Sequence, residues 1–412
     1  MKFDKLKRIL RRPPKLGLAR PKHCDILQFG GMTVSKSFPT WDRFQYTVMP
    51  SVGEQVNLFI ALLAFVNRRW SRWGYYATYV EFTTARLVIS DRDSNIEVFK
   101  LGIHISIPIW CIQNGNRLEL SFARSPGIIR ALRELGKSST PQIDRYFVFG
   151  EATARLFAPI LQTTFIYSGS LKLNDYFSGT RCLHAVLGQT PNLSRTARKS
   201  IGLIASFPEK SDVPGGRILG NETPFIEVAG QTVSYARYFT IETLLIQALS
   251  LLAKEVDLDL AIIAKRPLEH GTELGFFESI PESTGIPILF DNLRSSYSIA
   301  DEFDYLVAVD STLGFEMLAL GKRVAFVCSR FKALGIPFES EQIGHSLGWS
   351  PEGPFWTSAS EPNLIKNFLK SFIDIPQQSW EPLQREVIPR LMALDPGNQT
   401  LLAMLADELS HR

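Results

Sequence analysis

The residues best suited to chemistry are Asp310-Ser311-Thr312-Leu313-Gly314-Phe315-Glu316, which directly follow the apolar, β-rich run Tyr305 to Val309. A strand leading into Asp, Ser and Thr reads as a turn into a helix, with those side chains as caps and Gly314 removing a side chain from the first turn. The backbone N–H groups at a helix start have no partner inside the helix, so with the hydroxyls and the helix dipole they can grip a phosphate. Glu316, one turn inward, could accept hydrogen bonds from ribose hydroxyls. The competing reading is plain capping, which the same residue types provide without a ligand. Taken by themselves, the seven residues favour capping.

Other candidates also follow strands, where open α/β sheets hold their ligands. Lys265-Arg266-Pro267 comes after Leu258 to Ala264, and Arg266 could pair bidentately with a phosphate or a donor carboxylate; the alternative is a surface charge at a strand end. Arg330 lies just past Arg323 to Cys328 and could reach the same crevice. Asp91 and Arg92 follow Arg86 to Ser90 on the acceptor side, which makes Asp91 a catalytic candidate. His270 stands alone, and lone histidines more often pack or face solvent than catalyse. Trp349, Phe355 and Trp356 could stack on a sugar but fit a hydrophobic core better.

These residues need a scaffold, and the apolar pattern supplies one. Asp25 to Phe29, Arg86 to Ser90, Ile105 to Ile112 and Tyr146 to Phe149 read as strands; Gln55 to Asn67, with Val56, Phe59, Ile60, Leu63 and Val66 on one face, and Ala152 to Ile160 read as helices. After a Gly-, Pro- and Ser-containing stretch at 177–198, a second series begins at Ser200 to Ala205. It continues with a helix Ile241 to Glu255, strands Leu258 to Ala264, Ile286 to Phe290 and Tyr305 to Val309, a helix Leu313 to Leu320 and a strand Arg323 to Cys328. The class is α/β, with two Rossmann-like domains facing across a cleft and a helical C-terminal segment. The expected division is a basic segment 1–22, an acceptor domain 23–176, a linker 177–198, a donor domain 199–360 and helices over 361–412.

Composition narrows the function classes. The 412 residues exceed one ordinary core, and 45% hydrophobic with 21% charged residues is a globular balance. Cys24, Cys111, Cys182 and Cys328 are far apart and form no CxxC pair, and the six histidines show no ligand spacing, so unpaired thiols in a reducing compartment and no protein-bound metal are expected. The longest apolar stretch at helical period, Val56 to Val66, is short of the roughly 20 residues that span a bilayer. Nine Lys and Arg against Asp4 give residues 1–22 a net charge of +8, which leaves about −4 for the rest of a chain whose total is +4. Phe3, Leu6, Ile9 and Leu10 recur there at helical spacing, so a short amphipathic helix on an anionic membrane and a solvated tail are both open. Nucleic acid fits poorly, because the body is slightly acidic and the basic segment lacks interleaved aromatics. The expected setting is cytoplasmic, with peripheral contact at the inner face of the membrane.

Context changes the reading of Asp310 to Glu316. The stretch Asp310 to Val324, with Glu316, Ala319, Gly321 and Lys322 before a new strand, resembles the nucleotide-binding segment of GT-B glycosyltransferases, especially those of bacterial surface-carbohydrate and capsule proteins. Asp144-Arg145-Tyr146-Phe147-Val148-Phe149-Gly150, Gln113-Asn114-Gly115 and Ser168-Gly169-Ser170-Leu171 look like landmarks of a surface carbohydrate biosynthesis family, a likeness running from about Asp25 to Trp356. It implies cleft or acceptor positions at Asn114, Gly115, Gly169 and Ser170. Ser51-Val52-Gly53-Glu54 and Gly169 to Asp175 are similar to segments of lipid A Kdo transferases, and the first implies Glu54 as general base. A carboxylate beside a glycine turn is physically suited to that task, although it also complements a helix start. The His-Pro motif of ulosonic and sialic acid transferases is absent near Arg266.

The resemblance thus implies a metal-independent glycosyltransferase without a cofactor, moving a sugar from a nucleotide donor to a surface polysaccharide or lipid-linked glycan. A CMP-activated nonulosonic or ulosonic acid is the favoured donor. The alternatives are a glycerol- or polyol-phosphate transferase, a nucleotide-sugar epimerase, and a non-catalytic component of a polysaccharide assembly complex.

Overall fold

The computed structural model describes residues 15–30, 44–52, 55–93, 95–115, 143–178, 198–206, 225–228, 231–265, 272–290, 295–335 and 347–410. Two six-stranded parallel sheets dominate. The first is built from β1 (Ile26–Phe29), β2 (Tyr46–Met49), β3 (Leu87–Ser90), β4 (Ile109–Ile112), β5 (Arg145–Val148) and β6 (Thr164–Tyr167) in the order β2-β1-β3-β4-β5-β6. The second is built from β7 (Lys199–Ile204), β8 (Leu258–Ile263), β9 (Ile288–Leu289), β10 (Tyr305–Ala308), β11 (Arg323–Val327) and β12 (Trp356–Thr357) in the order β9-β8-β7-β10-β11-β12. Parallel strands are covered on both faces, which is why β1, β3, β4 and β10 are mostly apolar and buried along their whole length rather than alternating, with Gln28 and Ser90 their polar residues.

The expected strands are present with ends trimmed or, for Arg145–Val148 and Lys199–Ile204, shifted back by one residue. Ile105 to Ile112 shortens to Ile109–Ile112 because Pro108, with no N–H to donate, precedes it; Ile286 to Phe290 shortens to two residues after Pro287. Tyr46–Met49 and Thr164–Tyr167, two strands not anticipated, form the edges of the first sheet, where partial exposure dilutes the apolar signal.

The expected helix Gln55 to Asn67 needs a larger correction. Gln55–Asn57 is a short strand paired in parallel with Lys15–Gly17, and the helix is Leu58–Val66. Asn57 ends the strand and starts the helix, its side chain accepting a hydrogen bond from the Ile60 N–H. The buried face is also different: Ile60 and Ala64 are buried, whereas Val66 is exposed. Every residue of this helix is apolar, so periodicity could not say which side faces the core. Phe3, Leu6, Ile9 and Leu10 lie outside the described residues.

The C-terminal stretch ties the two domains together. Helix Pro362–Ile373 buries Ile365, Leu369 and Phe372 in the second domain's core. The chain then crosses to the first domain, where the Ala393 N–H donates to the Phe149 carbonyl at 2.7 Å. Helix Gln399–Ser410 lays Leu401 and Leu405 on the first sheet against Ile26, Ile89, Trp110 and Phe147. Phe149, Ala152 and Leu173, all from the first domain, join the second domain's core.

Candidate functional site

In the second sheet β7 and β10 are neighbours, and the chain winds away from them in opposite directions. That is a topological switch point, and the crevice beyond its carboxyl ends is where sheets of this order take ligands. The Asp310 turn sits there, after β10, and leads into helix Thr312–Ala319.

Ser311 has the extended backbone of an N-cap residue (φ −71°, ψ 132°), but its side chain makes no capping hydrogen bond. Asn57, Ser71, Asn95 and Ser295 all cap their helices with side-chain oxygens, whereas Ser311 and Ser329, which start the helices after β10 and β11, do not. Two more hydroxyls stand nearby in the topology. Ser206 follows β7 and Ser329 follows β11, and the Oγ of each is shut off from solvent with no hydrogen-bond partner. Buried hydroxyls are nearly always bonded, so serines with uncommitted Oγ atoms beyond three adjacent strands mark a place for a polar ligand. The helix dipole makes an anion the favoured one.

Other expected donor residues serve the protein itself. Arg330 does not reach the crevice; it is fully buried beneath it. Its Nη1 donates to the Tyr238 carbonyl and to Glu242 Oε2, each at 3.0 Å, its Nη2 donates to Glu242 Oε1 at 2.5 Å, and its Nε donates to Asp310 Oδ2 at 3.2 Å. Burial alone would lower its pKa, but Asp310 and Glu242 raise it well above the usual guanidinium value, so it stays charged. Asp310 is thereby held by a protein cation and anchors the turn. Gly314 faces away from the crevice: a Cβ there would meet Ala308 Cβ at 2.9 Å and Phe326 Cε1 at 3.1 Å, so glycine lets the helix lie close on β10 and β11. Thr312 is half-buried at the helix start.

Glu316 points into the seam between the domains. It is buried, and Oε1 accepts a hydrogen bond from the Ser170 hydroxyl of the first domain. Burial pushes its carboxyl up to about 7, while hydrogen bonds from Ser170 and Tyr297 pull the other way. Burial, aided by Glu316, also raises the Tyr297 phenol, whose ring stacks on Tyr176 at 4.7 Å. Ser170 therefore bonds across the seam rather than facing an open acceptor surface. Gly169 is likewise covered: its φ is +66° and a Cβ would lie 2.1 Å from the Ala393 carbonyl oxygen of the crossing segment.

On the first sheet the switch point falls between β1 and β3. Asp91 sits at the carboxyl end of β3 and is almost fully buried. Ser90 Oγ donates to the Phe29 carbonyl and accepts the Arg92 N–H, and Gly30, with φ +83°, leaves room for the Arg92 side chain 2.6 Å from where a Cβ would sit. Asn114 is exposed and Gly115 half-buried after β4, held there by Gln113, whose Nε2 donates to the Gly115 carbonyl and whose Oε1 accepts the Phe149 N–H. Glu54, Arg266 and His270 lie outside the described residues. Phe355 and Trp356 are core, with Trp349 stacked on Trp356.

Ser206, Ser329, Glu242 and Tyr297 were not anticipated. Only Glu242 leaves a signal in the sequence, as a carboxylate within the apolar stripe Ile241, Leu245, Ile246 and Leu249. The described residues contain no group of three or more His, Cys, Asp or Glu that could hold a metal, and no helix long and apolar enough to cross a membrane.

Two parallel α/β domains joined by a seam, with a C-terminal segment crossing back to the first, define a GT-B-like fold. The chain belongs to the family described as "putative O-antigen biosynthesis protein", whose model matches residues 110–409. No curated protein matches it. Among solved structures the chain is similar to the S. aureus MnaA–UDP complex, at 12% identity and TM-score 0.53 over 93% of this chain and 96% of that one. It is also similar to a Neisseria meningitidis UDP-GlcNAc 2-epimerase bound to UDP-GlcNAc (10%, TM-score 0.50, 93% and 99%) and to a variant of the wall teichoic acid polymerase TagF (13%, TM-score 0.50, 100% and 99%).

Proposed function

We propose that this protein is a glycosyltransferase of O-antigen assembly whose second domain holds the phosphate of a nucleotide-activated sugar. The observation that carries this reading is Ser311, which follows β10 at the switch point of the second sheet with a hydroxyl not spent on capping, while Ser206 and Ser329 lie just past the two neighbouring strands. Family membership supports the surface-glycan setting, and the UDP and UDP-GlcNAc complexes among proteins of similar fold support a nucleotide ligand.

In this reading the first turn of helix Thr312–Ala319 and the serine hydroxyls offset charge that grows on the leaving phosphate as the glycosidic bond breaks. The acceptor hydroxyl approaches from the first domain, and its proton passes to a carboxylate there. Glu54 is the first candidate and Asp91 the second, and closure of the seam aligns the two substrates. A CMP-activated nonulosonic or ulosonic acid is the first donor to test, on the likeness of Ser51 to Glu54 and Gly169 to Asp175 to enzymes that use such donors.

The test is a thermal-shift panel of CMP, CDP, UDP and GDP with their sugar conjugates, because a ligand of the folded state at about 100 times its Kd stabilises by about 2.7 kcal/mol. One nucleotide should raise the midpoint, and Ser311→Ala with Ser329→Ala should weaken that response about tenfold, the loss of one or two hydrogen bonds to a charged group. A panel with no response, or a variant that responds like the native chain, overturns the donor site. Epimerised free donor without an acceptor product would move the reading to an epimerase.

A further inference from the structure

The helix Leu58–Val66 is apolar at every position yet lies on the surface. One side, Ile60 and Ala64, packs inward; on the other, Leu62, Phe65 and Val66 are each more than 60% exposed. A helix apolar all round is expected in a core or in contact with lipid, and this one is not in the core. The exposed face extends at both ends. Beyond its C-terminus the Trp70 ring, 76% exposed, stacks on Phe65 at 5.7 Å while its Nε1 donates to the Phe65 carbonyl, which fixes an aromatic pair on the outside of the molecule. At its N-terminus the Asn57 side chain donates to the Ala19 carbonyl, which brings the strand carrying exposed Leu16 and the following exposed Leu18 alongside.

The charge around this face is mainly basic. Residues 55–80 contain no Asp or Glu but include Arg68, Arg69 and Arg72, and Lys15, Arg20 and Lys22 lie on the adjoining segment. Arg69 and Arg72 pair with Glu81 and Glu97, which lie further along the chain, whereas Lys15, Arg20, Lys22 and Arg68 are exposed. The 14 residues before Lys15 add six more Lys and Arg against Asp4. Exposed aliphatic side chains, a tryptophan with its polar edge satisfied, and the exposed Lys15, Arg20, Lys22 and Arg68 around them match the interface of an anionic bilayer: acyl chains below, phosphate headgroups around.

We infer that the outer face of Leu58–Val66, with Trp70, Leu16 and Leu18, docks this protein onto an anionic lipid surface. The contact belongs to the folded body: Leu16 lies in the strand Lys15–Gly17 and Leu18 just after it, so neither is presented by a helix. The helix begins shortly after the carboxyl end of β2, an edge strand of the first sheet.

The experiment is flotation of the full chain with vesicles of equimolar phosphatidylglycerol and phosphatidylcholine, against phosphatidylcholine alone. The native chain should float with the anionic vesicles only, less so at high salt, and brominated lipid should quench an emission component that Trp70→Gln removes. Leu62→Gln/Phe65→Gln/Trp70→Gln should lower partitioning at least about tenfold at an unchanged thermal midpoint and nucleotide response, since these side chains are mostly exposed and lie outside the core. Equal flotation of the triple variant overturns the inference and leaves attachment to other residues. So does a native chain that ignores vesicles but sediments as a dimer that the triple variant dissociates.

Discussion

The Ser170 hydroxyl, just past the last strand of the first sheet, donates to Oε1 of Glu316, inside a helix of the second domain. Both groups are buried, and 146 residues of chain separate them. A titratable side chain thus sits in the joint between the two domains.

Protonation of Glu316 should therefore register in stability. Its carboxyl is raised from 4.5 to about 7, mainly by burial. A raised value means the folded protein keeps a proton that the unfolded chain gives up at lower pH, so the stabilising effect is complete below 4.5 and is lost as pH rises through about 7. At about 1.36 kcal/mol per pH unit, native protein should lose about 3 kcal/mol relative to Glu316→Gln across that window. Thermal midpoints of the two chains from acid to mildly alkaline buffer check this; parallel profiles would show a normally ionising Glu316.

Arg330→Met should be among the most damaging single changes. It leaves Glu242 and Asp310 without their shared cation in a buried site, a loss of about 3–5 kcal/mol. Pairing it with Glu242→Leu removes one stranded carboxylate and should recover part of that loss. Urea unfolding of the single and double variants measures both, and a single variant within about 1 kcal/mol of native would mean that water reaches the site.

Gly169→Ala tests the crossing segment. The positive φ and the Ala393 carbonyl oxygen, 2.1 Å from the new Cβ, cannot both be accommodated. The expected outcome is a loss of roughly 2–4 kcal/mol with faster hydrogen exchange in helix Gln399–Ser410, while Pro362–Ile373 keeps its protection. Unchanged exchange in Gln399–Ser410 would mean that Leu401 and Leu405 hold that helix without the crossing contact.

The Asp310 turn shows how far sequence reading reaches. The residue types identified a strand-to-helix turn suited to an anion, and the turn stands at the switch point of the second sheet. The individual assignments diverge because each polar side chain has a choice of partners. Ser311 could cap and does not; Asp310 could bind a ligand but holds Arg330; Gly314 could clear a phosphate path but clears the path to Phe326.

The sequence by itself determined the two parallel sheets, their apolar strands and the positions of the turns between them, because burial on both faces imposes a local pattern that survives in one dimension. It also carried the all-apolar helix Leu58–Val66, though not which side faces outward. Tertiary structure alone decided that Arg330 is neutralised by Glu242, 88 residues away, that Glu316 is capped by Ser170, and that Gly169 lies under the C-terminal crossing. A polar group's role depends on its partner, and here the partners come from distant segments that only the folded chain brings together.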